Sequence, residues 1–155
     1  MEIGFHGGHS AETFLSTNKN IKLVSFDIGQ HNCVNLGKSF IDKKYPGRHT
    51  LILGDSLSTI PTYSSSNNIY FDVILIDGGH FYNIAKGDLL NCKKLAHKNT
   101  TVLMDDTVNN PKWLHKHNEG PNKAWNEVKQ NNIVHELGSE DYCDGRGMSW
   151  GKYNI

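Results

Sequence analysis

Residues Met1–Leu15 read MEIGFHGGHSAETFL, and the fold turns on how that stretch is parsed. An acid and two glycines make a tight turn, Glu2-x-Gly4-x-x-x-Gly8. Ser10, a good N-cap residue, follows, and Ala11, Phe14 and Leu15 then share one helical side. Strand, glycine turn and helix start in that order form a cradle of the nucleotide-cofactor type. The glycines let a ligand approach the backbone closely, and the helix start presents free N–H groups. An ordinary strand-to-helix turn has the same local pattern, so the rest of the chain decides between the two.

Working outward, Lys22–Phe26 (KLVSF) reads as a buried strand that ends at Asp27 and Gly29. His31–Lys44 predicts a helix with Cys33, Leu36 and Phe40 at helical spacing, stopped by Pro46-Gly47. His49–Leu53 (HTLIL) is the next strand and ends at Gly54-Asp55-Ser56. A short helix or turn follows, with Leu57 and Ile60 as its apolar contacts, and Tyr63–Asn68 (YSSSNN) reads as a surface loop. Tyr70–Ile76 (YFDVILI) is the most apolar strand and ends at Asp77-Gly78-Gly79-His80. Tyr82–Ala96 predicts a helix burying Ala85, Leu89, Cys92 and Leu95. Thr100–Met104 is a strand ending at Asp105-Asp106. Val108–Gly120 is polar and reads as a long loop or lid carrying Trp113, His115 and His117. Pro121–Asn131 predicts a helix with Ala124, Trp125 and Val128 inward. Ile133–Leu137 and Met148–Tyr153 read as an antiparallel pair closing the sheet edge, with Trp150, like Trp125, in the core.

Five alternations of strand and helix followed by a hairpin predict an α/β fold of the Rossmann-like type, with a mostly parallel twisted sheet between helices. Ligands of such sheets sit beyond the carboxyl ends of the strands. Those ends carry Glu2, Asp27, Asp55, Asp77 with His80, and Asp105-Asp106. Solubility alone does not explain an acid at five successive strand ends.

The 155 residues suit one domain, 1–155, with 16 basic and 16 acidic side chains. No basic field exists to attract nucleic acid, and no apolar run reaches the ~20 residues of a membrane span. No secretion signal precedes the first motif, and Cys33, Cys92 and Cys143 show no ligand spacing. These features predict a cytoplasmic protein with its thiols reduced.

The chain resembles class I S-adenosylmethionine-dependent methyltransferases. It is most similar to the small-molecule O-methyltransferase branch with a first motif E-I-G-x-x-x-G-x-S-A, here Glu2 to Ala11. The likeness continues through FDVILIDGGH, VLMDDT, GPNKAW and GMSWGKY. It implies strand order 3-2-1-4-5-7-6, with S-adenosylmethionine as cofactor and a small hydroxylated molecule as acceptor. A homo-oligomer stays open. By the family pattern, Glu2 and the turn Gly4, Phe5, Gly8 and Ser10 hold the methionine end of the cofactor. Asp27 accepts from the ribose hydroxyls, Asp55 lies near the adenine, and Asp77 borders the cofactor. In the metal-dependent members, acids at the fourth and fifth strand ends bind Mg²⁺, which here implies Asp77, Asp105 and Asp106. His80, with Asp77 beside it, is then the catalytic candidate, as a base for the acceptor hydroxyl. Capping roles for Asp27, Asp55, Asp105 or Asp106, and a plain backbone contact for His80, are the bland readings. His6 and His9 read as walls of the turn, His115 and His117 as solvated, and Trp113 as a substrate wall or a packed lid residue.

The pattern departs from the family at its start. Only Met1, Glu2 and Ile3 precede Gly4, fewer than the five or six residues of a usual central strand, which suggests an N-terminal truncation. A nicotinamide-dependent oxidoreductase is the nearest rival enzyme, but His6 stands where its second glycine belongs. A catalytically silent cofactor-binding module is the rival of a different kind.

Overall fold

The computed structural model describes residues 1–142 and 145–155, so Cys143 lies outside the described residues. Its elements, in chain order, are β1 (Glu2–Ile3), α1 (His9–Thr17), β2 (Leu23–Asp27), α2 (Cys33–Lys44), β3 (His49–Leu53) and α3 (Ser56–Ser66). There follow β4 (Phe71–Ile76), α4 (Tyr82–Cys92), β5 (Ala96–Asp105), α5 (Glu119–Gln130), β6 (Val134–Asp141) and β7 (Gly147–Tyr153). The sheet order is β3-β2-β1-β4-β5-β7-β6. The first five strands run parallel, and β7 is antiparallel to both β5 and β6. Order and hairpin agree with the sequence reading. The winding reverses between β1 and β4, and that reversal opens a crevice at their carboxyl ends.

Although it has two residues, β1 is central. Glu2 sits opposite Ser25 and Leu75, and Ile3 opposite Phe26 and Ile76. The period of two along β2 divides the core between the faces. Val24 and Phe26 pack with Ile3, Ile74, Leu89, Val102 and Trp125 on the face covered by α3, α4 and α5. Leu23 packs with Phe5, Ala11, Leu15, Val34 and Ile41 under α1 and α2. Among the described residues no helix is long and apolar enough to cross a membrane.

Several local readings change, and β5 begins at Ala96, four residues before the expected strand start at Thr100. The buried stripe of α2 is Val34, Gly37 and Ile41, while Leu36 is 73% and Phe40 49% exposed. Two helical stripes competed there, and the one with glycine won because a Cβ at Gly37 would lie 2.5 Å from the Gly7 carbonyl oxygen. The α3 helix runs on through Ser66 and absorbs most of the expected YSSSNN loop. Tyr63 drives this, its ring meeting Phe26 edge-on at 5.5 Å and stacking on Phe71 at 6.3 Å. Trp125 is buried as expected, but Trp150 is only half-buried, lying across Gly138 at the β6–β7 edge.

Buried polar groups bracket the first motif. Ser25 Oγ donates to Glu2 Oε1 at 2.7 Å and meets His49 Nε2 at 2.8 Å. With its proton given to Glu2, that hydroxyl accepts from an Nε2–H imidazole. Burial holds His49 down to about 4, so it is neutral, and its ring stacks on Phe5 at 4.9 Å. Asp88 on α4 is fully buried and neither oxygen has a hydrogen-bond partner among the described residues. Burial pushes its carboxyl up to about 7.

An acid raised in the folded state stabilises while it keeps its proton. For Asp88 that contribution is complete below the unfolded value of about 4 and is lost as pH rises through about 7. Thermal melts should therefore show Asp88→Asn gaining on the wild type between about pH 5 and about pH 8. A melting difference that stays constant over that range would contradict the assignment.

Candidate functional site

The glycine turn forms at the carboxyl end of β1. Gly4 has φ 91°, and a Cβ there would lie 1.8 Å from the Asp77 carbonyl oxygen, so only glycine lets β1 meet the end of β4. Asp27, at the end of β2, pins the turn from the other side. Its Oδ2 accepts from Phe5 N at 2.9 Å and His6 N at 2.8 Å, and its Oδ1 from Gly29 N at 2.7 Å. These charge-assisted bonds hold His6 in the left-handed region at φ 46°. Gly8, not Ser10, occupies the N-cap of α1, at φ 83°, and Ser10 lies inside the first helical turn. A left-handed backbone turn does the work expected of a side-chain cap.

Above this turn lies a cleft of about 530 Å³. Of the residues singled out from the sequence, Gly4, Phe5, Ser10, Asp27, Asp55, Asp77 and His80 border it. Glu2 does not reach it: the side chain is fully buried beneath the turn, with Oε2 unpartnered among the described residues. Burial raises its carboxyl above the ordinary range, against the pull of nearby serine hydroxyls. Gly8 turns toward Phe5 and Ile41 rather than the cleft. Asp55 caps α3 by accepting from Leu57 N at 2.9 Å, the local role its position allowed, while still bordering the cleft. Ile28 was missed. It follows Asp27, is 55% exposed and faces the cleft, and an apolar residue directly after a strand-end acid was the available signal. A second cavity of about 560 Å³ lies at the amino ends of the strands, against Met1, Leu23 and Val73, away from the acids.

The acids of β4 and β5 converge as expected. One carboxylate oxygen from each of Asp77, Asp105 and Asp106 lies within 4.8 Å of the others. Asp77 opens on the cleft. Its carboxyl is pushed up to about 7, first by desolvation, then by Asp105 and Asp106. Water in an open cleft moderates that desolvation, and a ligand filling the cleft strengthens it. Asp105 is raised for the same reasons. Asp106 is buried at φ 55°, and its carboxylate gathers three groups. His80 Nε2 lies 2.7 Å and His117 Nε2 3.2 Å from Oδ2, and Arg146 Nη1 donates to Oδ1 at 3.0 Å.

His117 and Arg146 carry no sequence signal, because both arrive on irregular backbone far along the chain. The segment bearing His117 is not a free lid. Asn109 N and Asn110 N each donate to the Asp141 carboxylate at 2.8 Å. Buried Asn118 donates to Trp113 O at 3.0 Å and Gly145 O at 2.8 Å. His117, expected in solvent, is thereby set against His80, the two rings tilted at 32° with centroids 3.8 Å apart. Trp113 is half-buried and does not border the cleft.

Residues 1–107, which span the turn and all five parallel strands, match the family model described as a methyltransferase domain. The chain belongs to the methyltransferase domain family. No curated protein matches the sequence significantly. Among solved structures, this methyltransferase is similar to an O-methyltransferase from Bacillus cereus in complex with S-adenosylhomocysteine (TM-score 0.80, 15% identity, covering 97% of this chain and 72% of that one). It is similar to the O-methyltransferase TomG of Streptomyces achromogenes, involved in tomaymycin synthesis and solved with S-adenosylmethionine (TM-score 0.79, 17% identity, 98% and 71%). A TDP-rhamnose 3′-O-methyltransferase of calicheamicin biosynthesis also matches (TM-score 0.73, 20% identity, 100% and 71%). At these identities the likeness is one of fold, the class I methyltransferase fold.

The contact between Gly37 and Gly7 makes a test of the cradle. Alanine ordinarily favours a helix over glycine by about 1 kcal/mol, so Gly37→Ala should leave α2 helical. The added Cβ would push the Gly7 carbonyl and distort the turn. Calorimetry with S-adenosylhomocysteine should show binding weakened about tenfold or more, roughly 1.4 kcal/mol. Unchanged affinity would remove the turn from the binding site.

Proposed function

We propose that this methyltransferase moves a methyl group from S-adenosylmethionine to a hydroxyl of a small molecule, of sugar, catechol or natural-product type. One observation carries the reading: the glycine cradle and Asp77, a carboxylate without a hydrogen-bond partner among the described residues, face a single cleft. The fold partners named for sugar and natural-product O-methylation support the acceptor class.

The cleft fits the cofactor. Gly4 lets the ends of β1 and β4 meet at the edge of the cleft, and Asp27, with three of its about four acceptor sites taken by backbone N–H groups, keeps one to accept a ribose hydroxyl. Ile28 offers an apolar surface for a flat ring, and Asp55 lies on the same side. Glu2 acts from beneath, through the turn. S-adenosylmethionine supplies an electrophilic methyl on a sulfonium, and transfer then depends largely on holding the acceptor oxygen in line with it.

A hydroxyl must lose its proton on the way. His80 is the group expected to accept it, with Asp77 beside it. Asp77 has no side-chain partner among the described hydrogen bonds and opens on the cleft, whereas His80 commits Nε2 to Asp106. We assign the proton to Asp77, with His80 held beside it. A divalent cation also fits here, since three carboxylates crowd together with one guanidinium between them. Asp77, Asp105 and Asp106 would hold Mg²⁺ as oxygen ligands, and such a cation lowers the pKa of a hydroxyl it touches. Among the described residues Cys33 and Cys92 are free thiols, which supports placing the enzyme in a reducing compartment such as the cytoplasm.

Calorimetry should detect S-adenosylhomocysteine binding and none of NAD⁺. In a methyl-transfer screen over hydroxylated acceptors, Asp77→Asn should cut turnover by about 10²–10⁴ while S-adenosylhomocysteine still binds. Binding without transfer to any acceptor would favour a silent module. Chelation by EDTA should reduce turnover, with recovery on adding a divalent ion; full turnover in excess EDTA would remove the cation from the reaction.

A further inference from the structure

We propose that His80, Asp106 and His117 form a mixed nitrogen–oxygen site for a divalent first-row transition ion. The ion would sit on the histidine side of Asp106, in preference to Mg²⁺ among the three carboxylates. Both imidazoles direct Nε2 at one oxygen, Asp106 Oδ2, at 2.7 and 3.2 Å. Metal–ligand bonds near 2.1 Å place neighbouring ligands about 3.0 Å apart at right angles and about 3.4 Å apart in a tetrahedron. The observed separations need only small shifts to accept an ion.

The donors come from three separate elements: the turn after β4, the end of β5 and the segment before α5. Each is held in place. A Cβ on Gly120 would lie 2.1 Å from the His80 carbonyl oxygen, so the start of α5 abuts the backbone bearing His80. Buried Asn118 fixes the backbone next to His117. Arg146 occupies Asp106 Oδ1, leaving Oδ2 as a single-atom ligand. The His80 and His117 rings lie tilted at 32° with centroids 3.8 Å apart, and both present Nε2 to the same Asp106 oxygen.

The donor set selects the class of ion. Imidazole nitrogens favour Mn²⁺ through Zn²⁺, whereas Mg²⁺ prefers an all-oxygen shell. Arg146 also cancels the charge of Asp106, which reduces the attraction on which a hard cation relies. The side chain of Asp106 is 3% exposed, but those of His80 and His117 are 37% and 41% exposed. Three protein ligands with one open side are the arrangement of a reactive metal site rather than a structural one. The use of that open side for an acceptor hydroxyl rests on the methyl-transfer reading; the binding of the ion does not.

The test uses the whole chain and Co²⁺, whose visible absorption reports its ligands. Titration should produce the spectrum of nitrogen-bound Co²⁺, with Mg²⁺ unable to displace it at equal concentration. His117→Ala should weaken Co²⁺ binding at least tenfold, and more than Asp105→Asn does. S-adenosylhomocysteine binding, measured on the same samples, confirms that each variant is folded and tests the cofactor reading separately. Absence of Co²⁺ binding, equal competition by Mg²⁺, or a larger loss in Asp105→Asn than in His117→Ala would overturn the proposal.

Discussion

The cleft depends on the contact between Gly4 and the main chain of Asp77. A side chain at position 4 would overlap a carbonyl that belongs to the next strand of the sheet, 1.8 Å away. Because that space is empty, β1 and β4 end side by side and the chain turns away from the sheet on both sides. The cofactor cradle and the acid cluster are therefore two sides of one junction. The left-handed backbone at Gly4, His6 and Gly8 is the cost of the sharp exit from β1, and Asp27 offsets it with two charge-assisted bonds to the turn. The same carboxylate thus shapes the loop and borders the cleft, so the ribose reading and the structural reading of Asp27 are not rivals.

Below the junction, polar groups replace apolar packing where the central strands pass closest to the site. Glu2, Ser25 and His49 link β1, β2 and β3 in one chain of contacts. Glu2 keeps one oxygen without a partner, as Asp88 keeps two. Burying such groups costs several kcal/mol when they are charged, which is why the two acids shift toward the protonated form and His49 toward neutral. The apolar clusters on the two faces of the sheet carry the fold, and the buried acids make its stability depend on pH in opposite senses to His49.

The fold was legible because it follows from period and punctuation. Each buried strand is a short apolar run ended by an acid or glycine, and the hairpin shows in alternation along Met148–Tyr153. What failed was the choice between two plausible faces of one helix. Cys33, Leu36 and Phe40 form as good a stripe as Val34, Gly37 and Ile41, and only the tertiary contact of Gly37 with Gly7 decides. Propensity misled at Tyr63–Ser66, where the aromatic partners of Tyr63 lie on β2 and β4 and hold a serine-rich segment helical. The strand-end half of the site was equally readable, since topology alone brings Asp27, Asp55, Asp77 and Asp105 to one rim. The other half was not. His117 and Arg146 reach Asp106 from irregular segments, Arg146 across 40 positions of sequence, and no local pattern records such a meeting.

The charge arrangement at that rim argues for function rather than stability. Three carboxylates share a space where one guanidinium and two imidazoles are the nearest partners. Asp105 and Asp106 both raise the carboxyl of Asp77, and Asp77 gains no hydrogen bond in return among the described residues. A residue selected for stability at this position would be an asparagine or a serine, which caps a strand end without repulsion. The chain instead keeps acids in a row and buries Asp106 in a left-handed conformation to hold it there. Such local conflict persists where the compensation arrives with a ligand: a cation that neutralises the cluster, or an acceptor proton shared with Asp77. On this reasoning a bound cation or acceptor should tighten the β1–β4 ends as well as prepare the chemistry.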